Sequence, residues 1–176
     1  MESLKNKTAW ITGASGGIGK EMAIQMAEAG AKIILTARSV EKLNAVKDSL
    51  NGDGHLVYPM DLSKIDEIPN AVKEVLLKVK TIDVLVNNAG VSQRSLAKNT
   101  KLEVDRKIME LDYFSKVTLT KSLLPHMLER QQGLIISISS VAGKIGAPMR
   151  SAYCAAKHAL IGFMDVLRAE LHGDNI

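Results

Sequence analysis

Thr12-Gly13-Ala14-Ser15-Gly16-Gly17-Ile18-Gly19 follows an apolar run over residues 8–12 and leads at once into a helical pattern over 18–29. Glycines at 13, 17 and 19 permit a tight turn and a close approach of backbone to a ligand. The helix that opens near Ile18 would aim its free N–H groups, and the positive end of its dipole, at a phosphate. A glycine cluster alone says little. Between a first strand and a helix it has the setting of a dinucleotide-binding turn. A triphosphate-binding loop is disfavoured, because counting back from Gly19-Lys20 puts Ala14 where that pattern needs glycine and Glu21 where it needs a hydroxyl.

Outward from this turn the chain alternates. Short runs rich in Ile, Val and Leu occupy 8–12, 32–36, 55–60, 82–86 and 134–139, as strands buried on both faces require. Helical patterns fill 18–29, 40–50, 64–80, 100–130 and 151–172. Strand then helix, repeated, implies parallel strands with right-handed crossovers, hence an α/β fold: a doubly wound, Rossmann-type parallel sheet with helices on both faces. In the long segment, Val117, Thr120, Leu124 and Leu128 form one stripe expected to be buried, and Pro125 is expected to kink or divide the helix.

Composition bounds the function. The 176 residues suit a single domain, 1–176, and 46% hydrophobic content is ordinary for a globular chain. One cysteine, Cys154, allows no internal disulfide, which points to a reducing, cytoplasmic setting. Met1 to Lys7 is polar and has no leader-like pattern, and no apolar run spans a bilayer. A net charge of +4 spread along the chain, with 3% aromatics, disfavours nucleic acid as a partner. The four histidines have no metal-ligand spacing, so no metal site is expected. Cys154 and the methionines at 22, 26, 127 and 164 read as packing residues. Arg94 and Arg150 read as solvent-exposed loop residues near the substrate side.

Two positions carry the cofactor and the chemistry. At the end of the second strand, Arg38-Ser39 stands where an acid would bind the ribose 2′-hydroxyl of NAD, with no carboxylate before Glu41. Arg38, Ser39 and Lys42 look arranged for an anion, which favours NADP(H) over NAD(H), although Gly16 lacks the base that would strengthen the case. Ser39 can also cap the next helix. Farther on, Tyr153 and Lys157 lie four residues apart on one helix face. An ammonium beside a phenol favours the phenolate. Ser140, 13 residues before Tyr153, ends the fifth strand at the carboxyl edge of the sheet.

Taken together, Thr12-Gly13-x-x-x-Gly17-Ile18-Gly19, Asp61-Leu62, Asn87-Asn88-Ala89-Gly90, Ser139-Ser140 and Tyr153-x-x-x-Lys157 resemble the short-chain dehydrogenase/reductase family in order and spacing. The resemblance implies an oxidoreductase that transfers a hydride between NADP(H) and a small-molecule carbonyl or alcohol. Tyr153 would be the general acid and base, Lys157 would hold the nicotinamide ribose, and Ser140 would bind the substrate oxygen. It assigns Gly13, Ser15, Gly17, Ile18 and Gly19 to the cofactor turn, Asp61 and Leu62 to the adenine, and Asn88, Ala89 and Gly90 to the cleft. Asn87 would brace the sheet. The Pro148 to Tyr153 stretch and Tyr113-Phe114 look most like branches acting on steroid, retinoid or other lipophilic carbonyls.

One position departs from the family. Asp112 replaces the asparagine that supports the proton relay; it keeps the acceptors, loses the amide donor and adds a charge that could pair with Lys157. Asp112 and the chain's length motivate the rival expectation of a dinucleotide-binding protein without turnover, or an inactive fragment. The family continues past the Tyr/Lys helix into a sixth strand, so the chain is expected to be shortened by roughly 60 residues. The family's long helices commonly form a subunit interface, which implies a homodimer or homotetramer.

Overall fold

β1 (Thr8–Thr12), β2 (Lys32–Thr36), β3 (Leu56–Val57), β4 (Val84–Asn87) and β5 (Leu134–Ser137) form one sheet in the order β3-β2-β1-β4-β5. Every pairing is parallel. The computed structural model describes residues 4–176; the reading of the first residues of Met1 to Lys7 as lacking a leader pattern concerns residues partly outside that range. The order reverses direction between β1 and β4, and in open α/β sheets the carboxyl ends of strands at such a switch point form the binding crevice.

The pleat sorts β1 into two cores. Ala9 and Ile11 join Ile33, Leu35 and Val86 beneath α1 (Gly17–Glu28) and α2 (Val40–Lys47). Trp10 points the other way, with Ile34 and Leu85, against α3 (Ile68–Val79) and α5 (Ser115–Arg130). The buried indole N–H donates to Thr36 Oγ1 at 2.8 Å, so this large ring leaves no orphan donor. A third, smaller cluster (Ile108, Ala152 and Ala156) joins α4 (Leu102–Met109) to α6 (Ser151–Glu170).

Four details differ from the expectations. The third strand is two residues long, although Tyr58 and Met60 still donate to the carbonyls of Leu35 and Ala37. The helix over 100–130 runs unbroken past Pro125; the carbonyl that loses its partner there belongs to exposed Lys121, which water can satisfy. Its irregularity is instead a π turn over Glu110–Phe114. The face of α5 that is buried carries Lys116, Leu119, Thr120, Leu123 and Met127, while Val117, Leu124 and Leu128 are half-buried. Two adjacent stripes are apolar, so periodicity alone could not choose; packing against Val72 and Val75 of α3 selects the first.

His55 is buried. Its Nδ1 accepts the N–H of Ile33 at 3.1 Å, and its Nε2 lies 3.0 Å from the Asn51 carbonyl.

Candidate active site

The glycine turn is welded to the end of β4 through one hydroxyl. Thr12 Oγ1 donates to the Val86 carbonyl at 3.1 Å and accepts the N–H groups of Asn88 at 3.0 Å and Ala89 at 3.1 Å. Asn88 Nδ2 in turn donates to the Thr12 and Gly13 carbonyls, so Asn88 builds the turn rather than facing freely into the cleft. Gly13 has φ +66°, and a Cβ there would lie 2.8 Å from Ala89 Cα. A Cβ on Gly19 would collide with the Gly13 carbonyl. On the other side, Gly16 and Gly17 are exposed, a Cβ on either would have none of the described residues within 4 Å, and Ile18 is exposed. The turn therefore offers bare backbone N–H groups at the start of α1, which fits a pyrophosphate.

The residues expected to meet a cofactor at the far end of the cleft divide. Arg38 is exposed, and Ser39 caps α2 by accepting the Lys42 N–H at 3.3 Å, as expected. Asp61 Oδ1 accepts the backbone N–H of Ser63 at 3.0 Å and its hydroxyl at 2.8 Å. These bonds hold its carboxyl below the usual range, with smaller help from the Arg38 guanidinium. Arg38 and Asp61 thus share one corner of the site. Leu62 is buried among Ile68 and Val72, which leaves only its backbone for a cofactor.

Tyr153 and Lys157 lie on one face of α6, with Lys157 Nζ 5.4 Å from the Tyr153 ring centroid. Lys157 is buried; its ammonium donates to the Ile138 carbonyl at 3.0 Å and lies 3.6 Å from Asp112 Oδ2. Asp112 is 0% exposed, sits on the π turn, and accepts the Val91 N–H at 2.8 Å through Oδ1. Burial pushes its carboxyl up from the ordinary value, against the pull of the Val91 N–H and the Lys157 charge. Gly90 lies against it, since a Cβ there would come within 3.0 Å of Oδ2. Ser140 follows β5 and caps the short turn Val141–Gly143 by accepting the Ala142 N–H at 3.1 Å. That turn packs on α6 at Lys157, where a Cβ on Gly143 would lie 2.9 Å from the Lys157 carbonyl. Asn87 braces the sheet, donating to Thr120 Oγ1 at 3.0 Å.

Two residues, Gln93 and Lys116, were missed from sequence, and a third, Arg150, was expected to be solvent-exposed. Buried Gln93 accepts the Tyr153 N–H at 3.1 Å and donates to Ser151 Oγ at 2.9 Å, tying the loop after β4 to the first turn of α6. Arg150 stacks 5.6 Å from the Tyr153 ring centroid and donates to Ser92 Oγ at 2.7 Å, so it is engaged rather than free in solvent. Lys116 is buried one helical turn after Asp112. Only the last left a signal, the acid and base four residues apart in Asp112-x-x-x-Lys116.

Concavities elsewhere, such as one of about 620 Å³ between Tyr58 and Glu74, contain none of these residues. No helix among the described residues is long and apolar enough to cross a membrane, and none of their His, Cys, Asp and Glu side chains cluster in threes or more as a metal site.

Known proteins share this arrangement. The family model described as short chain dehydrogenase matches residues 7–176. Human "Dehydrogenase/reductase SDR family member 7" is 46% identical over 174 residues, covering 96% of this chain and 51% of the relative. Mouse "Dehydrogenase/reductase SDR family member 7B" is 45% identical over 179 residues, covering 98% of this chain and 55% of the relative. The chain spans about half the length of these curated relatives. Among solved structures, a short-chain dehydrogenase from Streptomyces avermitilis superposes with a TM-score of 0.93 at 34% identity, covering 100% of this chain and 64% of that one. A metagenomic short-chain oxidoreductase in complex with NADP gives 0.92 at 35% identity, covering 98% of this chain and 80% of that one. Sequence and three-dimensional arrangement agree, and the chain belongs to the short-chain dehydrogenase family.

Proposed function

We propose that the chain is a single dinucleotide-binding and catalytic unit, 1–176, of an oxidoreductase that moves a hydride between NADP(H) and a carbonyl or alcohol. The observation that carries this reading is the placing of Tyr153 and Lys157, anchored on the Ile138 carbonyl, at the carboxyl edge of the sheet beside an open glycine turn. The bound nicotinamide would supply the hydride chemistry. Tyr153 gives its phenolic proton to the carbonyl oxygen in reduction and takes the hydroxyl proton in oxidation. Lys157, fixed by its bond to the Ile138 carbonyl and lying 3.6 Å from Asp112, would hold the nicotinamide ribose. Ser140 donates its hydroxyl hydrogen to the substrate oxygen as charge gathers there. Exposed Arg38, at the end of the second strand, supports NADP(H) over NAD(H) through the fit of its guanidinium to a 2′-phosphate.

The test is NADPH consumption over a panel of carbonyls, with Tyr153→Phe as the control. Turnover should fall by at least about a hundredfold while NADPH affinity changes little. Retained turnover in that variant would sink the assignment. A second reading, cofactor binding without turnover, is favoured by one observation: Asp112 places a buried charge 3.6 Å from Lys157. Tight NADPH binding with no consumption across the panel would select it.

A further inference from the structure

The end of α6 that carries Tyr153 has no cap of its own. The first amides of a helix lack acceptors within it, and Arg150, just before the first turn, gives them no side-chain bond. The Tyr153 N–H is satisfied from 60 positions away, by Gln93 Oε1 at 3.1 Å. Gln93 Nε2 donates to Ser151 Oγ at 2.9 Å in the same turn. Gln93 is 8% exposed, so water competes little for either bond.

Gln93 stands on a stretch without regular structure after β4, and bonds to other elements set its place. Asp112 Oδ1 accepts the Val91 N–H at 2.8 Å, Ser92 Oγ accepts from Arg150 at 2.7 Å, and the Ser95 N–H donates to the Met149 carbonyl at 3.1 Å. About 6 Å farther along α6, Lys157 is held separately by the Ile138 carbonyl at 3.0 Å. The helix is thus pinned twice. The chain leaving β5 holds it at Lys157, and the chain leaving β4 holds it at Tyr153.

We infer that Gln93 is a positioning residue, which sets the place of the Tyr153 phenol against Ser140 and Lys157 by gripping the Tyr153 backbone. The inference rests on the oxidoreductase reading above and adds to it a residue that acts only through Tyr153. Without that grip the first turn of α6 loosens, while Lys157 and the glycine turn keep their own supports. Proton transfer then suffers and cofactor binding does not. The requirement is an oxygen acceptor at this length of side chain. Glutamate meets it, because the Ser151 hydroxyl can turn to donate to its second oxygen, and a carboxylate suits a helix N-terminus. Methionine has the length without the acceptor.

The experiment compares the parent with Gln93→Met and Gln93→Glu. Exchange of the Tyr153 N–H with deuterated water is followed by NMR on protein carrying isotope-labelled tyrosine; the chain has 3 tyrosines, and Tyr153→Phe assigns the signal. Exchange should quicken about tenfold or more in Gln93→Met and stay slow in Gln93→Glu. In carbonyl reduction, kcat should fall about tenfold to a hundredfold in Gln93→Met, with carbonyl KM and NADPH affinity changed by less than about twofold. Most of that loss should return in Gln93→Glu. Exchange that ignores Gln93→Met, a kcat within about twofold of the parent, or a glutamate variant as slow as the methionine one would overturn the proposal. A fall in NADPH affinity as large as the fall in kcat would overturn it too, as the mark of general loosening. Failure of the oxidoreductase reading shows instead as a parent without turnover on any carbonyl. The amide exchange, read without cofactor or substrate, then still decides whether Gln93 holds this end of α6.

Discussion

At pH 7 the Lys116→Met variant should unfold at a higher urea concentration than the parent, although it loses a charged group from a carboxylate's neighbourhood. The Lys116 ammonium falls from 10.5 to about 7 in the fold. At about 1.4 kcal/mol for each tenfold change, that amounts to roughly 5 kcal/mol of penalty for folding around this lysine. Relaxation and water entry reduce such figures, and exchanges of buried ions for apolar residues gain about 1–4 kcal/mol in practice. Methionine matches the stem of lysine in length, and Asp112 keeps Lys157 at 3.6 Å. A gain of about 2–3 kcal/mol is therefore expected. The sign with pH follows from linkage. Between about 7 and 10.5 the unfolded chain binds a proton at this lysine that the folded chain does not. Parent stability at this site thus rises through that window, and the penalty is complete below about 7. Urea melts at several pH values should show the advantage of the variant shrinking as pH rises. A variant less stable than the parent at pH 7, or an advantage that does not vary with pH, would refute the reasoning.

Other expectations test other parts of the molecule. Arg38→Ala should weaken NADPH binding about tenfold or more and leave NADH binding nearly unchanged, as read by cofactor fluorescence; equal losses for both would remove Arg38 from the 2′-phosphate. Gly13→Ala should cost about 2–4 kcal/mol in a urea melt, because φ +66° and a Cβ 2.8 Å from Ala89 Cα combine strain with collision. Asp83 accepts from Thr8 N–H at 2.9 Å and from Arg130 at 2.7 Å. Burial alone would raise its carboxyl, but these bonds outweigh it and hold it low. Its contribution is therefore present above its unfolded value near ~3.9 and lost as pH falls through its lower folded value. Asp83→Asn should flatten acid unfolding in that range, and an unchanged acid limb would argue against it.

The legible parts of this protein are those where backbone demands a residue type. Gly13 and Gly19 stand where no other side chain fits, so the turn, the first crossover and the cleft could be placed from eight residues. The parallel sheet followed from runs buried on both faces. What escaped was decided by partners distant in sequence. Gln93 reads as a polar loop residue until α6 brings the Tyr153 N–H to it across 60 positions. Leu62, expected at the adenine, has its side chain in the core beneath α3. Only the burial of its face of α5 makes Lys116 an uncommon charge. The π turn at Asp112 has no composition of its own to announce it.

Thr12 shows how the crevice depends on chemistry more than on shape. Its single hydroxyl fills one donor and two acceptor roles where β1, β4 and the glycine turn converge. Valine would occupy nearly the same volume there, yet would strand a carbonyl and two amides together. Serine would surrender a methyl group and keep all three bonds. The position therefore demands a hydroxyl, and the alignment of two strands across the switch point is encoded in one oxygen atom.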